Sequence, residues 1–333
     1  MLSELTPRIA TASAVKPIMW SVMIPCYNPR PDYLEVVLHS VLQQDPGEAV
    51  MQIEIIDDCS PDGPPVELVR KIAGDRITVH CEEKNLGLAG VWNRCIERAQ
   101  GKWVHILHQD DLLLPGFYEK LQAGADSPAA PGLLYCRHNF MDAEGHQSWL
   151  SDRDAEKSGC LRGALPHLAR AQMIQTPAVV VRRSVYEALG GFRRDLCFTL
   201  DWEMWCRIAR QFPVWYEPEV LACYRMHPAN TTSRLVEEGR DIEDIQRCIA
   251  IISSYVADPK TRAEVRRSAL QRYARLAMDK AKVLLAGGKL SAARRQIHGA
   301  FRCDFSLKIL RATLALAPAM TRKTAESFLK SNA

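Results

Sequence analysis

Long apolar runs are missing from this sequence. No window reaches the roughly 18 or more apolar residues of a membrane span, and Thr, Ser, Lys and Pro interrupt any signal core near the N-terminus. No G-x-G-x-x-G follows the first apolar run, which argues against a dinucleotide dehydrogenase, and the absence of G-x-x-x-x-G-K-S/T excludes a P-loop. The 11 cysteines include no C-x-x-C pair and no zinc spacing, and their odd number argues for free thiols in a reducing compartment rather than a disulfide scaffold. The net charge is only +4, without one long basic run, so the composition does not point to nucleic acid. Repeats and low-complexity tracts are absent as well.

What remains is an ordinary globular composition: 333 residues, 47% hydrophobic and 25% charged. That length fits one large domain with an appendage, or two domains. Residues 1–18 read as a leader with little structure, 19–232 as an α/β domain, and 233–333 as a helical extension.

The α/β reading follows from alternation. Apolar runs at Ser21–Ile24, Met51–Ile56, Ile77–His80 and Trp103–Leu107 predict strands, and helical spacing at Tyr33–Gln43, Val66–Ile72 and Leu88–Gln100 predicts the helices between them. Such alternation indicates a mostly parallel sheet flanked by helices. Further on, strands are expected at Leu133–Cys136, Ala178–Val181, Val214–Tyr216 and Leu221–Tyr224. A polar, turn-rich loop is expected over Asp142–Gly159, and a helix opening at Asp201. Three early strands end in polar clusters: Pro25 to Asn28, Asp57-Asp58, and His108 to Asp111. Parallel strands place such ends on one edge, where open α/β sheets bind ligands. At the third end, Asp110 and Asp111 admit two readings. They could hold Mg²⁺ against the phosphates of a substrate, or they could cap a following helix.

In order, Ser21-Val22-Met23-Ile24-Pro25-Cys26-Tyr27-Asn28, Ile55 to Gly63, Asn85-Leu86-Gly87 with Asn93, His108-Gln109-Asp110-Asp111, Gly190-Gly191-Phe192 with Asp201-Trp202-Glu203-Met204-Trp205, and Tyr224-Arg225-Met226-His227 resemble the successive motifs of a family 2 glycosyltransferase of GT-A fold. The likeness covers roughly residues 20–232 and is to bacterial enzymes of surface-polysaccharide assembly. It implies inverting transfer of a sugar from a UDP-, dTDP- or GDP-sugar to a hydroxyl of a glycan or lipid-linked glycan, with Mg²⁺ or Mn²⁺ as cofactor.

Residue by residue, the resemblance puts Pro25, Tyr27, Asn28, Asp57, Asp58, Asn85, Gly87, His108, Gln109 and Arg225 at the donor nucleotide. Carboxylates such as Asp57 and Asp58 accept from an imide N–H or a sugar hydroxyl. Asp110 and His227 are the metal ligands it implies, and Asp201 the catalytic base. Asp111, Trp202 and Glu203 take acceptor contacts or a supporting role, while Trp205 is expected in the core. The chain departs from the family at two points: His108 stands where the first acid of a DxD motif is usual, and Leu200 where a glutamate precedes Asp201. Those departures motivate an alternative, a nucleotide-sugar-binding module with little or no turnover. The arginine-rich C-terminal helices suit peripheral contact with the inner face of the cell membrane, a homodimer contact, or a solvated face; a cytoplasmic location is expected.

Overall fold

The computed structural model describes residues 5–11, 18–227 and 231–331. The chain divides into two units. One comprises Met1–Leu165, Gln172–Asp195 and Leu200–Met226; the other comprises Pro166–Ala171, Leu196–Thr199 and His227–Ala333.

Strands β1 (Trp20–Cys26), β2 (Met51–Asp57), β3 (Thr78–Cys81) and β4 (Trp103–Ile106) alternate with helices α1 (Pro31–Leu42), α2 (Val66–Ala73) and α3 (Gly87–Arg98). They pair in the order β3-β2-β1-β4, all parallel, as helical crossovers require. β1 is buried along its whole length. α1 starts at Pro31, whose missing N–H has no partner to lose in a first turn. Its face of Leu34, Val37, Leu38 and Val41 packs on Val22, Ile24, Ile53 and Ile55 of the sheet.

Beyond β4 the sheet becomes mixed. The chain continues through β5 (Leu112–Leu113), α4 (Phe117–Ala125), β6 (Leu133–Met141), β7 (Gln147–Leu150), β8 (Gly159–Cys160), α5 (Ala164–Leu168), β9 (Val179–Arg182), α6 (Arg183–Leu189), α7 (Leu200–Ala209) and β10 (Val214–Arg225). β9 runs antiparallel to both β4 and β6. β10 is parallel to β6 and antiparallel to β5 and β8.

Three expectations are corrected here. The strands expected at Val214–Tyr216 and Leu221–Tyr224 form one strand, β10, whose register against β6 shifts around Glu217 and Val220, next to Pro218, which lacks a ladder N–H. The stretch Asp142–Gly159 contains β7 and the start of β8. Leu112 and Leu113 form β5, pairing with Cys223 and Ala222, and the next helix begins only at Phe117, after Gly116. Asp110 and Asp111 therefore do not cap a helix.

From the stretch expected to be a leader, residues 5–11 are tied down by backbone contacts. Pro7 O accepts from Gly191 N at 2.9 Å, Leu5 O accepts from Arg194 N at 3.2 Å, and Ile9 is buried. Residues 1–4 and 12–17 lie outside the described residues.

The second unit is helical: α8 (Thr231–Glu238), α9 (Arg240–Tyr255), α10 (Pro259–Ala286), α11 (Leu290–Cys303) and α12 (Leu307–Ser331). Its core holds the fully buried Asp241, which pairs with Lys280 at 2.6 Å and accepts from Gln296 Nε2 at 2.7 Å. A buried charge needs that kind of partnership. Asp244 accepts from the amides of Cys197, Phe198 and Thr199 at 2.9–3.1 Å and from the Thr199 hydroxyl at 2.7 Å.

Candidate active site

The ends of β1, β2 and β4 lie side by side in the parallel sheet, and hydrogen bonds lace them together. Asp58 N donates to Cys26 O at 2.8 Å. Asn28, in the left-handed region at φ 45°, donates its amide to Ser60 Oγ at 2.7 Å. That hydroxyl donates to Asp57 Oδ1 at 2.5 Å, and the Ser60 amide donates to Asp57 Oδ2 at 3.0 Å. Gln109 grips the backbone of Tyr27 twice: its Oε1 accepts from the Tyr27 amide at 2.8 Å, and its Nε2 donates to the Tyr27 carbonyl at 3.3 Å. Tyr27 is left exposed, and Pro25 is buried in β1.

Asp58 does structural work at the start of α3. Its carboxylate accepts from the amides of Leu86 at 2.6 Å and Gly87 at 3.0 Å, two groups that the helix itself cannot satisfy. Burial raises its pKa above the usual carboxylate range even though those amides pull it down. Asn85 closes the turn, donating to Asp58 O at 3.1 Å and accepting from Gly87 N at 3.1 Å. Gly87 sits at φ 70°, where a side chain would be strained.

After β4, His108, Asp110 and Asp111 bring one donor atom each within 4.8 Å of one another. The His108 ring stacks on Trp92, with centroids 5.1 Å apart. Its Nδ1 lies 3.2 Å from Asp111 Oδ2, and its Nε2 is buried with no hydrogen-bond partner. Burial opposes a charge on this imidazole, but the carboxylates of Asp111, Asp110 and Asp201 outweigh it and raise the pKa above the ordinary value. Asp111 is buried and its carboxyl is raised chiefly by desolvation. Two carboxylates and an imidazole form a donor set that suits a divalent ion of the Mg²⁺ or Mn²⁺ type, and the nitrogen leans it toward Mn²⁺.

Arg225, at the end of β10, locks this turn in place. Its amide donates to Asp111 Oδ1 at 2.8 Å, and its Nε donates to Asp110 O at 2.8 Å. Nη1 reaches Asp142 O at 3.3 Å and Ala143 O at 3.1 Å, and the guanidinium lies 4.3 Å over the Tyr33 ring. The residue is buried, with a guanidinium turned to backbone carbonyls. His227 opens the last segment of the second unit. Pro228 to Asn230, the rest of that expected loop, lie outside the described residues.

Asp201 stands in the first turn of α7 and is 8% exposed. Gln172 Nε2 donates to its Oδ2 at 2.5 Å, and the Trp202 amide donates to its Oδ1 at 2.7 Å. Its negative charge adds to those that raise the His108 pKa. Glu203 turns away: it is fully buried and pairs with Arg207 at 2.9 Å. Arg207 in turn donates to Leu189 O and Gly191 O, pinning the Gly190-Gly191 turn to α7. Trp202 and Trp205 are both buried, so neither ring faces solvent. Asn93 clamps Phe192 from the other side, donating to its carbonyl at 3.0 Å and accepting from its amide at 2.7 Å.

The sequence pattern described as Glycosyl transferase family 2 matches residues 21–190, which takes in the Asp57-Asp58 turn, the His108–Asp111 cluster and the Gly190 turn. The chain belongs to that family. A Mycobacterium tuberculosis protein, MT1568, is 30% identical over 273 residues, covering 78% of this chain and 82% of the relative. A Bacillus subtilis protein named for teichuronic acid biosynthesis, the glycosyltransferase TuaG, is 43% identical over 98 residues, covering 29% of this chain and 37% of TuaG. Among solved structures, a mannosyltransferase from Pyrobaculum calidifontis in complex with GDP-Man and Mn²⁺ aligns at a TM-score of 0.56 and 19% identity, over 96% of this chain and 87% of that one. At that identity the likeness is one of fold, and it is the GT-A arrangement expected from the sequence.

Around His108 and Asp201, two residues make contacts that the sequence did not signal. Trp92 supplies the ring beneath His108 but reads as ordinary packing on an amphipathic helix. Gln172 holds Asp201 from a stretch with no clear periodicity, 29 positions away.

Proposed function

We propose that this family 2 glycosyltransferase moves a sugar from a UDP-, dTDP- or GDP-sugar to a hydroxyl of a glycan or lipid-linked glycan, with inversion at the anomeric carbon. The observation that carries this reading is Asp201, a buried carboxylate fixed in the first turn of α7 by Gln172 and the Trp202 amide, whose charge reaches His108. In a single displacement the acceptor oxygen attacks the anomeric carbon as its proton passes to Asp201. The bond from that carbon to the diphosphate breaks, and the nucleoside diphosphate leaves with the electron pair. A positioned base of this kind contributes on the order of 10²–10⁴-fold.

Asp110 and His108, with Asp111 beside them, would hold the divalent ion, and the ion would neutralise charge on the departing diphosphate. The Pyrobaculum calidifontis complex, which holds GDP-Man and Mn²⁺, supports a divalent ion beside the donor. Asp57, Asp58, Asn85, Gly87 and the Tyr27-Asn28 turn form the nucleotide side of the site. The TuaG relationship supports a polysaccharide product.

The test is turnover of nucleotide sugars followed by NMR in Mn²⁺, with the Asp201→Asn variant alongside. The expected result is an inverted anomeric configuration and loss of turnover in the variant, with nucleotide binding retained. Unchanged turnover in Asp201→Asn would sink the base assignment. Metal-dependent nucleotide-sugar binding without any turnover in the unaltered chain would favour the binding-module reading that His108 and Leu200 motivate.

A further inference from the structure

The second unit presents an apolar stripe to solvent. α12 turns Ile309 inward and packs along α10 and α11. On its outer side Leu307, Leu310 and Leu314 are 70%, 44% and 61% exposed, and Phe305, just ahead of the helix, is 90% exposed. The i, i+3, i+7 spacing puts the three leucines on one helical face. The outer face of a surface helix is ordinarily polar, and a contiguous run of uncovered large apolar side chains marks an interaction surface.

The flanking charge selects the occupant. Lys308 and Arg311 border the stripe and are exposed, and no acidic residue occurs from Phe305 to Thr321. We propose that this face of α12 docks on an anionic bilayer surface. Phe305 and the leucines enter the boundary between headgroups and acyl chains, and Lys308 and Arg311 meet the lipid phosphates. A basic amphipathic helix with an apolar face lies in the interfacial plane in this way. Among the described residues no helix is long and apolar enough to cross a membrane, which is consistent with attachment in the plane rather than across it. A second copy of the chain fits less well. A two-fold contact sets one surface against itself, bringing Lys308 and Arg311 toward their own counterparts with no acid in the segment to answer them.

The inference is independent of the proposed reaction, because attachment is read without nucleotide. The full chain is sedimented with vesicles of phosphatidylglycerol mixed with phosphatidylcholine, and with vesicles of phosphatidylcholine alone. Binding is expected to the first, weaker by at least tenfold to the second, and falling as salt rises. Lys308→Gln and Arg311→Gln should each weaken binding about fivefold. The Leu310→Gln, Leu314→Gln double variant should weaken it by tenfold or more, with an unchanged melting temperature. Should the leucine variant fail to fold, the two cation variants, at exposed positions, still carry the test. Three results would overturn the proposal: no binding to phosphatidylglycerol vesicles, equal binding to both vesicle types, or a concentration-dependent dimer that the leucine variant dissolves.

Discussion

Arg225 holds Asp111 through its backbone amide, at 2.8 Å, while its side chain hydrogen-bonds the carbonyl of Asp110, the neighbouring residue. The last strand of the sheet thereby fixes the position of the acidic turn after β4. The resemblance to the family puts Arg225 at the donor nucleotide; in the structure its guanidinium faces the carbonyls of Asp110, Asp142 and Ala143. Arg225→Ala should therefore lower stability by about 2–4 kcal/mol, read as a drop in melting temperature without any nucleotide present. A variant that melts normally and loses only nucleotide affinity would return Arg225 to the donor nucleotide.

The metal assignment has its own test. Asp110→Asn should weaken Mn²⁺-dependent binding of a nucleoside diphosphate by about tenfold or more, while binding without metal changes little. Isothermal titration in the presence and absence of Mn²⁺ separates the two. Equal losses in both conditions would make Asp110 a nucleotide contact rather than a metal ligand.

Gln172 is a positioning residue for Asp201. Gln172→Leu removes the hydrogen bond to Oδ2 and leaves the carboxylate less firmly held, with the Trp202 amide still on Oδ1. The expectation is a kcat lowered roughly 10- to 100-fold, with the donor KM unchanged and the melting temperature within a few degrees. A matching rise in KM, or a large loss of stability, would show that Gln172 shapes the fold instead.

Stability should fall on mild acidification. His105 is buried between Tyr118 and the Pro177 carbonyl; that carbonyl only accepts, so Nε2 donates to it, and in the neutral ring Nδ1 accepts from the Tyr118 hydroxyl. Burial pushes its pKa down to about 3, and that of His138 down to about 4 with help from Arg137. Below the ordinary histidine pKa the unfolded chain takes up protons that the folded chain refuses. The stability from the neutral rings is therefore whole above about pH 6.5 and declines as pH falls toward 3, with His105 accounting for up to roughly 4 kcal/mol. Denaturant melts across that range should show the decline, and His105→Gln should flatten it.

Gly191 has no room for a side chain. A Cβ there would lie 2.2 Å from Asn93 Oδ1, in the middle of the clamp between α3 and Phe192. Gly191→Ala should cost about 1–3 kcal/mol, and calorimetry of the purified variant measures it.

The sequence showed most plainly where an apolar run stops at polar residues. The ends of β1, β2 and β4 were visible for that reason, and with them Asp57, Asp58 and Asp110. Strand direction was hidden, because period-two burial looks the same either way; β9 read as a strand but its antiparallel pairing with β4 did not. Partners far apart in the chain were hidden too. β5 exists through pairing with residues 222 and 223, so Leu112 and Leu113 read as the approach to a helix. At Glu203 it was a near neighbour that misled. Its place beside Asp201 suggested the site, but Arg207, one helical turn on, takes its charge into the interior.

The carboxylate of Asp244 has a consequence for anyone cutting this protein. The amides it accepts from belong to residues 197–199, far upstream, yet both partners are parts of the second unit. A fragment ending near residue 226 would carry those donors without their acceptor, and the buried Thr199 would keep neither of its bonds to it. The helical unit is thus no detachable cassette. A chimera that swaps it between relatives must exchange the 197–199 strip and Asp244 together.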